Sequence, residues 1–369
     1  MSQTGFGGID THMHLFAPQG KGPNFNVADD KKPARPGWPK SILKEGASQR
    51  VISRSPGAPS QKNYLLAADN LLAQMDLRNV AKAIVMPPPQ HYGQIGAYEY
   101  DDILPAIQNS GGRLLLAAGG GELNPMITGV KPEEVTSEIR QNFEEKARRI
   151  IAAKAVAFGE MAALHLCMNP RHHYMAAPPD HPLFFLLADL AAESGLPIDL
   201  HMEAVPVKMA TPTRLLRQCG ENPSQLAANI PGLERLLAHN PKAKIVWQHI
   251  GWDNTGHMTP ALLGRLLKDH SNLFLSIRVL DPHQTQLEGK DDTSISDQFR
   301  RIKPEWAKLI ADYPDRIMVG GDEFIGPPAL DPWMPPSFEE TWRAIDHLLE
   351  PTRSKLAWQN AARVYNIQR

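Results

Sequence analysis

Along the chain, short apolar runs rich in β-branched residues alternate with longer stretches whose apolar residues recur every three or four positions. The first pattern suits a strand buried on both faces and the second a helix laid against a sheet, so their alternation predicts parallel βα units. Eight strands are expected, over Gly8–His14, Lys82–Met86, Leu114–Ala118, Ala155–Glu160, Pro197–His201, Lys244–His249, Leu273–Val279 and Arg316–Asp322. The helices read most clearly over Tyr64–Arg78, Pro132–Ala153, His181–Ser194, Ser224–His239, Pro260–Asp269, Pro304–Asp312 and Ser337–Leu349. Several begin with proline followed by an acidic residue, as at Pro132-Glu133-Glu134 and Pro304-Glu305, which is helix-start chemistry. The second unit carries the weakest pattern.

Eight such units in one chain predict a single α/β domain, a (β/α)8 TIM barrel spanning residues 1–369. Long loops are expected after strands one, four and seven, over Leu15–Asn63, His165–Pro182 and Asp281–Ser296. In a barrel these hang over the C-terminal ends of the strands, where sites are built. A doubly wound sheet would call for a phosphate-binding glycine fingerprint, and neither GxGxxG nor GxxxxGK[ST] stands in the right place. Gly119, Gly120 and Gly121 read as a tight turn.

Composition narrows the partner. With 39 basic and 40 acidic residues the formal net charge is −1, which offers no electrostatic footprint to a nucleic acid or an anionic membrane. No apolar run approaches the roughly 20 residues needed to span a bilayer. Met1 to Ile9 has neither the basic nor the apolar region of a signal peptide. The reading is a soluble, cytoplasmic protein acting on a small molecule, with a secreted or periplasmic mature form left open and room for a homo-oligomer. Cys167 and Cys219 are the only cysteines, too few for a disulfide framework, and Cys167 reads as an inert small hydrophobe.

The 14 histidines are more than composition alone leads one to expect, and their positions matter. Asp10, His12 and His14 alternate with Thr11 and Met13, so on a strand all three side chains share one face. Two imidazoles at i and i+2, roughly 7 Å apart at Cβ, can lean onto one cation. A lone HxH is weak evidence. It gains force because strand four ends in Glu160, strand five in His201, strand six in His249 and strand eight in Asp322. Nitrogen and carboxylate donors gathered at one barrel mouth suit a divalent transition metal, one ion or two, zinc first with manganese or iron as alternatives.

These segments resemble the amidohydrolase superfamily, specifically its amidohydrolase-related group of metal-dependent hydrolases, lactonases and non-oxidative decarboxylases. The resemblance rests on Ile9-Asp10-Thr11-His12-Met13-His14, Gly159-Glu160, Asp199-Leu200-His201, Gln248-His249-Ile250-Gly251, Gly320-Gly321-Asp322 and the closing Asn360-Ala361-Ala362-Arg363-Val364-Tyr365. Leu72-Ala73-Gln74-Met75-Asp76 also looks like the group's first helix. The resemblance implies that His12, His14 and Asp322 bind metal, and that His201 completes the site or belongs to a second one. Glu160 either bridges two ions or orients a histidine from behind. Asp322 is the natural acceptor of the proton from a metal-activated water, and His249 either ligates a second ion or stabilises the developing oxyanion. The expected reaction is hydrolysis of an ester, lactone or amide-type bond, with decarboxylation as the alternative and a non-catalytic ligand-binding barrel as a third reading.

Gly320-Gly321-Asp322-Glu323-Phe324 also matches the GGDEF signature of diguanylate cyclases letter for letter. That signature lies at a hairpin turn, whereas here Pro327 and Pro328 follow and cannot donate to a strand ladder. Around the mouth, Arg278 is a candidate clamp for a substrate carboxylate, with an ion pair to Glu203 or another rim acid as its structural alternative. Glu203, Trp252 and His172 are candidate pocket residues, and Trp38 and Trp333 sit in the long loops.

Overall fold

The computed structural model describes residues 7–16, 61–91, 99–168, 172–280, 293–327 and 337–368. Trp38, Trp333 and most of the expected loops after strands one and seven lie outside them. The barrel strands are β1 (Gly8–Leu15), β2 (Val80–Val85), β3 (Leu114–Gly119), β4 (Ala157–His165), β6 (Ile198–Met202), β9 (Ile245–Ile250) and β10 (Leu273–Ile277), with the eighth place shared by β11 (Ile317–Val319) and β12 (Glu323–Ile325). They pair in the order β11-β10-β9-β6-β4-β3-β2-β1-β12, every neighbour parallel. Because β11 and β12 belong to one short stretch of chain, the sheet closes on itself, and the (β/α)8 barrel is the observed fold.

Strand eight differs from its expectation as one run over Arg316–Asp322. β11 pairs with β10 and β12 with β1, so the intervening Gly320, Gly321 and Asp322 cross the seam of the barrel. Gly320 is required there because a Cβ would collide with the Ser276 hydroxyl and stand 3.0 Å from Cβ of His12. The GGDEF letters therefore lie on a barrel-closing crossover instead of a hairpin.

Asp10 fastens this seam. Its Oδ1 accepts from the N–H groups of His12 and Gly321 at 3.0 Å, and its Oδ2 accepts from the indole Nε1–H of Trp342 at 2.8 Å. Burial pushes its pKa up to about 7 although these donors pull it down.

Inside the barrel, Ile9, Ile84, Ala117, Ala157, Val246, Phe274 and Met318 form one apolar layer, joined by Ala361, Val364 and Tyr365 of the C-terminal helical segment. That segment plugs the end where the strands begin. Lys82 and Lys244, at the starts of β2 and β9, donate to the carbonyls of Gln368 and Val364. The opposite end, where the strands finish, carries the chemistry.

Several boundaries move for local reasons. The helix expected from Pro132 starts at Ser137, because the Thr136 side chain takes the Ile139 N–H and caps it, leaving Pro132–Glu134 as a separate turn. The helix expected from Ser224 starts at Ile230. Before it the chain makes an unexpected excursion, with the antiparallel pair β7 (Met209–Ala210) and β8 (Gln225–Leu226) around a short helix, Thr213–Gln218. The loop after β4 is ordered in part by β5 (Met175–Ala176), which pairs antiparallel with the end of β4.

The cysteine reading is corrected. Cys167, just past β4, is bonded to Cys219 in the excursion after β6, with their Cα atoms 5.8 Å apart. The two rim loops run side by side there. Asn222 fixes them by accepting from the Cys167 N–H and donating to the Cys167 carbonyl, both at 2.8 Å.

Candidate metal centre

At the open end, His12 and His14 turn their Nε2 atoms to within 3.1 Å of one another. Oε2 of Glu160 lies 3.5 Å from each. Oδ1 of Asp322 lies 3.4 Å from His14 Nε2 and 3.8 Å from His12 Nε2. Donors arranged tetrahedrally at zinc bond lengths stand about 3.3 Å apart, so these separations fit a metal better than they fit hydrogen bonds. Tautomer control agrees, because His14 Nδ1 is 2.8 Å from the Met86 carbonyl and must donate, which leaves its Nε2 with a lone pair. His12 is fully buried, and burial lowers its pKa to about 4, the neutral form that ligates.

Glu160 has a second set of partners. Its Oε1 lies 2.7 Å from His201 Nδ1 and 2.7 Å from His249 Nε2, which are hydrogen-bond distances. One oxygen thus faces the His12 and His14 pair while the other fixes two histidines. Burial raises its carboxyl, and the surrounding imidazoles of His12, His249 and His201 outweigh that, leaving it well below the usual range.

His201 stands on the far side of Glu160 from the cluster of His12, His14 and Asp322, and belongs to neither of the donor clusters at this mouth, the second being His12, Glu160 and His249. Glu160 is not at a strand end as expected, since β4 runs on to His165. Its pairing with β3 stops at Gly159, so Glu160 is the first residue past that ladder and can turn into the mouth.

His249 lies between two carboxylates, Nε2 against Glu160 and Nδ1 3.0 Å from Asp322 Oδ2. Burial alone would lower its pKa; the flanking charges of Asp322 and Glu160 raise it to about 9. Asp322 shows the converse, raised by burial and drawn well below its ordinary value by Arg278 and His249. Both His249 and Asp322 have positive φ, 59° and 48°, in a region costly for residues with a Cβ. Such strain concentrates at functional sites.

Arg278 is 1% exposed and pairs with Asp322, Nη1 to Oδ2 at 2.8 Å, in place of the rim pairing with Glu203. The contact is close but not linear, as is that of His249 Nδ1. The Glu203 carboxylate is turned to the Asn254 side chain and to its N–H at 3.0 Å. The Trp252 ring lies 4.4 Å from the Arg278 guanidinium, 6.2 Å from the His249 ring and 6.4 Å from the His172 ring.

One residue escaped the sequence reading. His165, the true end of β4, stacks on His172 with centroids 3.9 Å apart and lies 4.7 Å from the His201 ring. The run Met161-Ala162-Ala163-Leu164 after Glu160 was the available sign that the strand continued.

The amidohydrolase family model matches residues 141–367, more than half of the chain. The chain belongs to the amidohydrolase family. Glu160, His201, His249 and Asp322 of this amidohydrolase fall within the matched segment, and His12 and His14 precede it. Among solved structures it is similar to Amidohydrolase 2 from Bifidobacterium longum subsp. infantis, at 13% identity, TM-score 0.44, covering 98% of this chain and 99% of that one. It is similar also to 2,6-dihydroxybenzoate decarboxylase complexed with 2,6-dihydroxybenzoate, at 14% identity, TM-score 0.48, covering 98% and 99%. A third is a triple mutant of organophosphorus hydrolase from Deinococcus radiodurans, at 17% identity, TM-score 0.49, covering 98% and 93%. No curated protein matches the sequence. Among the described residues no helix is long and apolar enough to cross a membrane.

Proposed function

We propose that this amidohydrolase is a metal-dependent hydrolase of an ester, lactone or amide-type bond in a small molecule. The observation that carries the reading is the cluster of His12 Nε2, His14 Nε2 and Asp322 Oδ1, 3.1 to 3.8 Å apart, with Glu160 Oε2 3.5 Å from both imidazoles. These residues would hold a divalent ion, zinc first, with manganese or iron accommodated by the same donors. One ion would sit at His12, His14 and Asp322, and His12, Glu160 and His249 form a second donor cluster that could take another, with the guanidinium of Arg278 adding a permanent positive charge beside Asp322.

A divalent ion bound there supplies an acidified water near neutral pH and polarises the carbonyl under attack. The remaining work falls to side chains. Asp322 accepts the proton of the attacking water and delivers it to the leaving alkoxide or amine. His249, held as a cation between Glu160 and Asp322, would donate a hydrogen bond to the developing oxyanion. Glu160 keeps the His249 ring in place through Nε2. Trp252 and His172 form a wall on which an apolar part of the substrate rests.

The test is metal analysis of the purified chain joined to turnover on lactones, esters and aromatic acids before and after chelation. Metal-dependent hydrolysis, lost on chelation and restored by zinc, is the expected result. Release of CO2 from aromatic acids without hydrolysis would replace this reading with decarboxylation on the same donors.

A further inference from the structure

The carboxylate of Asp322 faces two ways. Oδ1 looks toward His12 and His14, whereas Oδ2 lies 2.8 Å from Arg278 Nη1 and 3.0 Å from His249 Nδ1. A free carboxylate can take a cation through one oxygen or both. Taking both would fill a position that a catalytic ion keeps open for substrate.

Arg278 is buried with its guanidinium beside Asp322. It is among the largest fully buried side chains, in a place where an unpaired guanidinium is costly. Its guanidinium plane is backed by Trp252, and its main-chain N–H donates to the Ile250 carbonyl at 2.8 Å. Gly251, at φ 103°, has no side chain because a Cβ would stand 2.6 Å from the Arg278 carbonyl oxygen. The Trp252 ring and the Asp322 carboxylate flank the guanidinium, and the main chain that carries it is fixed on both sides.

We infer that Arg278 is a positioning residue: resting on the metal reading above, it keeps Oδ2 of Asp322 off the ion, so that Asp322 is a one-oxygen donor and a coordination position stays open. The substrate-clamp reading of Arg278 gives way to this one, since the carboxylate it grips belongs to the chain.

The experiment uses the full chain loaded with cobalt(II), whose visible absorption weakens as coordination rises above four, and azide as a small probe of an open position. Arg278→Met keeps volume and removes the grip. Its cobalt absorption should fall, and its azide affinity should drop by about ten- to hundredfold, the span usual for outer partners of metal ligands. Arg278→Lys keeps the charge without the planar fork and should shift both readouts the same way by less. A folded Met variant with the wild-type spectrum and azide affinity overturns the inference, even if its turnover of carboxylate substrates is impaired. Should that variant not fold, the Lys variant decides by the same criterion. A wild-type chain that takes up no cobalt overturns the metal reading itself, and this inference with it.

Discussion

Replacing Asp10 by alanine tests whether the barrel is fastened where it closes. The carboxylate accepts from three buried donors, the N–H of His12, the N–H of Gly321 and the indole of Trp342. A buried donor left without an acceptor costs about 1–3 kcal/mol, so three orphans cost about 3–9 kcal/mol before relaxation. Relief of the burial that raises the Asp10 pKa to about 7 offsets part of this. A loss of about 3–5 kcal/mol is expected, a large share of the 5–15 kcal/mol typical of a whole protein. Urea unfolding followed by far-UV circular dichroism measures it as a lowered midpoint at similar slope. Trp342→Phe supplies the control, because it removes a single donor and should cost about 1–2 kcal/mol alone. Added to Asp10→Ala it should be nearly neutral, since it then deletes an orphan, giving a coupling of at least about 1 kcal/mol. A loss below about 1 kcal/mol for Asp10→Ala, or additivity of the two changes, would refute the clasp.

Asp322→Asn keeps an oxygen that can ligate but cannot accept a proton, so turnover should fall by at least about a hundredfold while metal, measured by mass spectrometry, is retained; near-normal turnover in the metal-replete variant would place the proton acceptor elsewhere. The Cys167–Cys219 bond closes a separation of 52 residues, for which chain entropy allows about 4 kcal/mol. Cys167→Ser should lose most of this, less what Asn222 retains by gripping the Cys167 backbone. Thiol titration of the wild type before and after reduction checks the pairing, and two reactive thiols in the untreated protein would refute it.

The parallel units, and with them the barrel, were legible because each strand is a self-contained apolar run bounded by polar turns. His12 and His14 were picked out because alternation along a strand dictates which side chains share a face, and Asp322 because it closes the eighth apolar run. Glu160 was placed in the right mouth for an incomplete reason: a charged residue interrupts an apolar run and looks like its end, whereas β4 continues for five more residues to His165. The partners of Arg278 depended on how far the β10 end reaches across the seam, which no local pattern encodes. The same limit hid the disulfide and the excursion around Thr213–Gln218, where two loops meet only after the barrel has formed.

The seam across Gly320, Gly321 and Asp322 also sets an order of events during synthesis. His12 leaves the ribosome 310 residues before Asp322, and they meet only when β12 docks on β1. Contacts so remote in sequence form late, because chain entropy must be spent before they return anything. The nascent chain therefore carries the paired imidazoles of β1 while 310 further residues are made, without the carboxylate that completes their set. Loading of the full centre has to wait for Asp322 to be made and for β12 to dock on β1.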